Sequence, residues 1–130
     1  MTQAKFPQET SAVARIEAQK IIDEINGVTA VVIATVDGFD IASAIISNAD
    51  ASRVAAMASS ISAGRAVVSQ EAGLGRNKSV TIDTESGFAV VYSVHRPDTE
   101  LVINVIADSR AILAQVTYRT AEFARLLVRL

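Results

Sequence analysis

The stretch GLGRNKS (73–79) combines two glycines with a Lys-Ser pair, which is the composition of a phosphate-binding loop. A Walker loop needs four residues between its glycines and a Gly directly before Lys-Ser. Here one residue separates the glycines, and Asn77 precedes Lys78. The stretch also follows a predicted helix and precedes a predicted strand, whereas phosphate loops lead from a strand to a helix N-terminus. We therefore interpret it as a glycine helix cap followed by the basic start of an edge strand.

One histidine and no cysteine limit the acid–base and metal chemistry of the chain. A zinc site needs several His or Cys ligands, and a Ser-His-Asp triad would have to use His95, in a predicted turn. Asp37 and Asp40 flank another turn and could pair as acid and base, although turns favour Asp for local reasons. A carboxylate-only Mg²⁺ or Ca²⁺ site stays open, but nothing resembles an EF-hand loop. We expect no catalytic residues, no metal and no cofactor, and hence a protein that is not an enzyme.

The composition is that of one folded domain. The chain has 130 residues, of which 50% are hydrophobic and 20% charged, with a net charge of -2. No basic excess marks a nucleic-acid binder. The N-terminus lacks a signal-peptide core, and the longest apolar run, 28–36, is too short to span a bilayer. We predict a flexible tail over 1–8, a single domain over 9–130, a cytoplasmic location, no nucleic-acid partner and no membrane insertion.

Changes in hydrophobic periodicity predict the element order α-β-β-α-β-β-β-α. The predicted elements are helices over 9–26, 51–72 and from Asp108 or Ser109 to about 128, and strands over 28–36, 41–46, 77–84, 88–94 and 100–107. Short hairpin connections favour a mainly antiparallel sheet. We predict an α/β protein, more narrowly an α+β sandwich, whose five-stranded sheet has one long helix on one face and two terminal helices on the other.

Each predicted helix has a side expected to lie on the sheet, and Asp50 is placed to cap the long helix. The sheet-facing residues that the periodicity predicts are Val13, Ile16, Ile21 and Ile25 in the first helix, Val54, Met57, Ala58, Ile61 and Val68 in the long helix, and Ile112, Val116, Phe123 and Leu127 in the last helix.

The long helix carries small, nearly uncharged residues on the side away from the sheet. Ala56, Ser60, Ala63 and Val67 lie there, where a solvated helix would normally carry Lys and Glu. Such a side lets a second backbone approach closely. The simpler interpretation is an Ala-rich helix beneath a loop, but we favour a helix–helix interface with a second chain.

The strand 77–84 supports the same hypothesis, because it alternates Val80 and Ile82 with polar residues, as an edge strand does. An open edge needs to be covered or paired. Pairing it with its own copy across a twofold axis would extend the sheet through two subunits and bring the two long helices together. Val80 and Ile82 therefore join the predicted dimer interface.

Several segments resemble the Roadblock/dynein light chain family. GVTAVVIATVDGFDIASAI (27–45) is similar to the family's strand, Asp-Gly turn and returning strand with Ile-Ala-Ser, and the Ala/Ser-rich helix follows at the expected place. SVTIDTESGFAVVYSV (79–94) resembles the next two strands, and LVINVIADSRAILAQVTYRTAEFARLL (101–127) the last strand and helix. The resemblance covers nearly the whole chain from about residue 10.

The resemblance implies a protein that dimerises, with itself or with a paralogue, through a continuous sheet and has no catalytic chemistry of its own. Family members bind small Ras-like GTPases or act as adaptors on dynein and signalling scaffolds. Bacterial members often pair with a Ras-like GTPase, and some accelerate hydrolysis without inserting an arginine. The GTPase-binding surface often uses the second helix, which here is 51–72 and includes Arg53 and Arg65.

The leading hypothesis is therefore a dimeric, non-enzymatic regulator of a Ras-like GTPase. One alternative is a small-molecule sensor of PAS-like architecture, for which a chain with no Trp, four Phe and two Tyr offers little aromatic lining. A purely structural scaffold subunit is a further alternative. A hydrolase that uses Asp37 or Asp40 is the last.

Overall fold

The computed structural model describes residues 8–57, 61, 73 and 78–130. Most of the predicted tail, the greater part of the helix predicted over 51–72, and the central part of the 73–79 stretch lie outside the described residues. In chain order the elements are α1 (Gln8–Glu24), β1 (Val28–Thr35), β2 (Asp40–Ile45), α2, which begins at residue 51 and is described through 57, β3 (Ser79–Thr84), β4 (Gly87–His95), β5 (Glu100–Asp108) and α3 (Leu113–Arg129).

The five strands form one antiparallel sheet in the order β2-β1-β5-β4-β3. The hairpins β1–β2, β3–β4 and β4–β5 pair neighbours in sequence, and β1 pairs with β5 to join the two halves. The central strands β1 and β5 are almost entirely buried, while β3 is almost entirely exposed. The predicted sheet and element order are confirmed.

Alternate residues of β1 belong to the two different layers of the core. Val31 and Ile33 belong to the apolar cluster that contains buried residues of α1 and α3. Val32 and Ala34, which point to the opposite face of the sheet, belong to the cluster that contains Val54 and Ala55 of α2. The terminal helices therefore cover one face and α2 the other, as predicted.

Helix α1 packs on the sheet through small side chains. Its buried residues are Thr10, Ala14, Ala18, Ile21 and Ile22, and Ile25 follows at the helix end. The prediction that Ile16 faces the sheet is wrong, because its side chain is 60% exposed. Threonine and alanine at positions 10, 14 and 18 form the i, i+4 stripe that allows the helix to approach the strands closely.

Helix α3 begins later than predicted. Its N-cap is Ile112, and β5 continues through Asp108, which pairs with Gly87. The Asp108 carboxylate accepts a hydrogen bond from the Arg110 backbone N–H at 2.9 Å and from its guanidinium at 2.8 Å. Those bonds stabilise a turn at the position where the prediction placed the start of the helix. The buried side of α3 contains Val116, Phe123 and Leu127 as predicted, but Ile112 is 64% exposed and the prediction for it is wrong.

Two arginines fix α3 to its neighbours. The guanidinium of Arg119 donates to Glu17 of α1 at 2.6 Å and to Glu24 at 2.9 Å. The guanidinium of Arg96, in the β4–β5 turn, donates to the carbonyl of Leu127 and to both carboxylate oxygens of Asp98. Arg96 therefore satisfies a carbonyl of the last helical turn, which has no partner within the helix.

Two glycines allow the chain to reverse direction. Gly38 has a φ of 97°, and the turn around it is closed by the Gly38 N–H, which donates to the Thr35 carbonyl at 3.0 Å. Gly27 has a φ of 101°, and a Cβ there would lie 2.5 Å from the backbone nitrogen of Ala111. Glycine at position 27 thus lets the end of α1 approach the segment that leads into α3.

Candidate partner-binding surface

The edge strand β3 is the most accessible part of the sheet. Within the described residues its neighbour is β4 alone, and every β3 residue except Val80 is exposed. Half of the backbone N–H and C=O groups of an edge strand point away from its partner and are available to another strand. Among the described residues, β3 therefore offers a template for pairing with a second chain.

The register of β3 places its apolar residues on the α2 face. Val80 lies opposite Val91, and Ile82 lies opposite Ala89. Val91 belongs to the buried cluster against which Ile61 of the second-helix segment packs. Because side chains directly opposite each other share a face, Val80 and Ile82 lie on that face as well. Ile82 is 38% exposed.

Asp50 caps the start of α2, as predicted. Its carboxylate accepts hydrogen bonds from the Ser52 hydroxyl at 2.8 Å, the Ser52 N–H at 3.0 Å and the Arg53 N–H at 3.4 Å. These bonds, led by the one from the Ser52 hydroxyl, hold the pKa of Asp50 below its ordinary value. The cap fixes where the helix begins and therefore which residues face the sheet.

Helix α2 crosses the sheet toward the strands next to β3. Val54 and Ala55 pack with Val32 and Ala34 of β1, whereas Ile61 packs with Val91 of β4 and Val102 of β5. Since the strand order runs from β1 through β5 to β4 and β3, the described part of α2 leads toward the open edge.

The first turns of α2 present Arg53, Ala56 and Met57 to solvent. The predicted outward position of Ala56 agrees with its exposure. The prediction that Met57 faces the sheet is wrong, because its side chain is 63% exposed, and Ala55 is instead fully buried. Successive helical residues are about 100° apart, so the sheet-facing side is rotated toward Ala55 relative to the prediction.

Only part of the predicted interface lies within the described residues. Arg53, Ala56, Val80 and Ile82 are described, and all four belong to the α2 side or the β3 edge. We call these four residues the α2–β3 surface. Ser60, Ala63, Val67 and Arg65 lie outside the described residues, so their roles stay predictions.

Asn104 is a feature of this face that sequence reasoning missed. It lies opposite Val91 in β4 and Val32 in β1, and therefore under the α2 layer. Its side chain is 5% exposed, and its Oδ1 has no hydrogen-bond partner among the described residues. The signal in the sequence is one amide in the centre of the apolar run LVINVIA (101–107).

The residues considered above for acid–base chemistry lie in or beside two turns of the described chain. Asp37 lies in the β1–β2 turn, Asp40 begins β2, and His95 ends β4, where its Nδ1 is 3.5 Å from Glu100 Oε2. Over residues 8–57 and 78–130, no cluster of three or more His, Asp or Glu side chains is arranged to hold a metal ion. Gly73 has a φ of 66°, the left-handed conformation of a glycine helix cap.

None of the helices, over the residues that are described, is both long enough and apolar enough to cross a lipid bilayer.

Known structures share this arrangement. A Roadblock/LC7 domain from Streptomyces avermitilis is 19% identical, with a TM-score of 0.76 over 87% of this chain and 92% of that chain. MglB from Myxococcus xanthus is 18% identical, with a TM-score of 0.79 over 95% and 91%. The gliding protein MglB from Thermus thermophilus is 15% identical, with a TM-score of 0.78 over 95% and 89%. At these identities the similarity establishes the fold.

The family assignment rests on the amino-acid sequence. No curated protein matches the chain significantly. Residues 17–107, well over half of the chain, match the model of the Roadblock/LC7 domain. The chain therefore belongs to the Roadblock/LC7 domain family.

Proposed function

We propose that this Roadblock-domain protein is a non-enzymatic, dimeric regulator or adaptor that binds a small Ras-like GTPase and modulates its nucleotide cycle or its localisation. The observation that carries the proposal is the exposed edge strand β3, whose Val80 and Ile82 lie on the same face of the sheet as α2. Dimerisation and GTPase binding are two separate steps of the proposal.

The dimer pairs β3 with its own copy in antiparallel orientation. Ladder hydrogen bonds between the two copies satisfy the outward-pointing backbone groups, and the sheet becomes continuous across the twofold axis. The α2 helices of the two subunits then lie on one face of the joined sheet. A solved MglB of this fold, 15% identical, has a tetrameric arrangement, which supports self-association by this fold.

The GTPase binds on the α2 side of the dimer. Family membership supports this step, because Roadblock proteins bind Ras-like GTPases and often use the second helix. Arg53 lies exposed in the first turn of α2 and has no ion-pair partner among the described residues. A guanidinium in that position is suited to a carboxylate on the partner. Arg65 is proposed for the same surface from the sequence alone.

Light scattering after size exclusion, followed by binding assays, tests both steps. The dimer predicts a mass twice the monomer value of 13.7 kDa. Ras-like GTPases from the same genome, loaded with GDP or with a non-hydrolysable GTP analogue, are then measured by calorimetry, and affinity should depend on the nucleotide. Arg53→Glu should weaken binding roughly tenfold or more, since truncating or reversing an interface charge typically costs over 1 kcal/mol.

Arg15→Glu is the matched control, because Arg15 is an exposed arginine on α1, on the opposite face of the sheet. It should leave GTPase affinity unchanged. A monomer that binds no Ras-like GTPase in either nucleotide state would contradict the proposed function.

A further inference from the structure

A groove of about 540 Å³ lies between α3 and β4, on the face of the sheet opposite α2. Its volume is within the range of protein ligand clefts, about 300–1,000 Å³. Tyr92 and Val94 contribute from β4, and both belong to the core on the α3 side of the sheet. The groove is therefore separate from the α2–β3 surface.

Small residues of α3 create the groove. Ala121 and Ala124 stand where α3 passes over β4, and Val128 follows one turn later. Val128 is 47% exposed, so an apolar side chain stays accessible to solvent at the rim. The lining is mostly apolar and suits a large aliphatic or aromatic side chain.

Cationic groups border this apolar lining. Arg125 and Arg129 of α3 line the groove, and Lys78, just before β3, also borders it. No Asp or Glu is among the described residues that line it. In the same described part of the chain, neither Arg125 nor Lys78 has an ion-pair partner, although Arg129 also borders a second depression that contains Glu122. The carbonyl of Leu127 already accepts a hydrogen bond from Arg96, so Arg125 is not needed to cap it.

We propose that this groove binds an acidic segment of a partner protein, anchored by a large apolar side chain between Tyr92 and Ala121 and by a carboxylate on Arg125. Charge complementarity selects the partner, because an arginine without an ion-pair partner beside an apolar floor favours a carboxylate next to an apolar anchor. The groove is open along Val128, which suits a segment lying across it better than an enclosed small molecule. This second surface is independent of the proposed GTPase binding.

Selection of random 12-residue peptides displayed on phage against the immobilised full-length protein tests the proposal. The selected peptides should share Asp or Glu beside Leu, Ile, Phe or Trp. Synthetic copies, measured by fluorescence anisotropy, should lose affinity roughly tenfold with Arg125→Glu, the size expected for loss of a charge-assisted contact. Ala121→Leu, which fills the groove, should weaken binding as well.

Arg15→Glu again controls for net charge and should leave peptide affinity unchanged. Equal melting temperatures of the wild type and Arg125→Glu verify that the variant is folded. No selected peptide, a consensus without acidic residues, or binding that is indifferent to Arg125→Glu would overturn the proposal. Dodecanoate is the second probe: if it binds in an Arg125-dependent way while no peptide does, the groove takes a lipid carboxylate and the proposal also falls.

Discussion

Val80 of the edge strand lies directly opposite Val91, and Val91 is in turn buried against Ile61 of the second-helix segment. One chain of contacts therefore connects the open edge of the sheet to the helical layer. In the proposed dimer, a second chain that pairs with β3 would therefore meet the α2 face at the same time. Val80 and Ile82 are the described apolar side chains at that junction.

The first prediction concerns self-association through β3. Ile82→Asp should shift the protein from a dimer to a monomer, because it places a charge on the α2 face of the junction, where burial of an unpaired carboxylate is unfavourable. Light scattering at several protein concentrations measures the change. We expect the dimer dissociation constant to rise by roughly a hundredfold, which corresponds to about 2.7 kcal/mol.

Thr81→Asp is the matched control for that experiment. Thr81 is an exposed neighbour in the same strand, but it lies opposite Val90 and so points to the other face of the sheet. It should leave the mass near the dimer value. If both variants dissociate equally, the charge on β3 acts without regard to the face, and the proposed α2–β3 surface is wrong.

The second prediction concerns the tie between the terminal helices. Arg119→Met should lower the free energy of unfolding by about 2 kcal/mol, because Glu17, only 16% exposed, loses its guanidinium hydrogen bond and keeps only Lys20, whose Nζ is 3.9 Å away. Arg110→Met is the matched control: its pair with Asp108 involves a guanidinium that is 61% exposed, and such surface pairs contribute about 0–1 kcal/mol. Urea denaturation measures both. Equal losses would show that the Arg119 network contributes no more than an exposed pair.

Several elements could be predicted because local chemistry and tertiary packing agree. The Asp37-Gly38 turn requires a positive φ, and Gly38 has one. Asp50 caps α2 through its own neighbours, with no contribution from distant parts of the chain. The strands are recognisable because β-branched residues run through them with little interruption.

Other features depend on contacts that no local pattern contains. Periodicity places large apolar residues such as Ile16 on the sheet, yet Ala14 and Ala18 are the fully buried residues of that part of α1, and small side chains of this kind permit a helix to pack closely on a strand. The predicted start of α3 is too early because Asp108 accepts hydrogen bonds from Arg110 and stays in β5. The groove along α3 is likewise a tertiary feature, formed where alanines pass over Tyr92.

The third prediction concerns Gly27. Gly27→Ala should lower the free energy of unfolding by roughly 2–4 kcal/mol, because it combines a positive φ with a Cβ that would lie 2.5 Å from the Ala111 nitrogen. Gly73→Ala is the comparison variant: Gly73 also has a positive φ, but no described residue lies within 4 Å of a Cβ placed there. We expect a smaller loss, about 1–2 kcal/mol, from backbone conformation alone. Thermal and urea unfolding measure the difference, and a Gly73→Ala loss as large as that of Gly27→Ala would refute the steric part of the argument.

The fourth prediction concerns the acid dependence of stability through Asp98. Its hydrogen bonds from the Arg96 guanidinium hold the pKa of Asp98 below the ordinary value of 3.8. Because the folded-state pKa is the lower one, the ionised carboxylate stabilises the fold at pH above the ordinary value. That contribution is lost as the pH falls through 3.8 toward the folded-state pKa. Asp98→Asn removes the titrating group while leaving an amide oxygen beside Arg96.

Unfolding free energies of the wild type and Asp98→Asn, measured by urea denaturation from pH 7 down to pH 3, should therefore converge as the pH falls. Asp37→Asn is the control, because no ion pair of Asp37 occurs among the described residues. The difference between the wild type and this control should show no comparable convergence. A gap for Asp98→Asn that stays constant or widens toward low pH would mean that Arg96 holds the end of α3 at Leu127 without help from the ionised carboxylate.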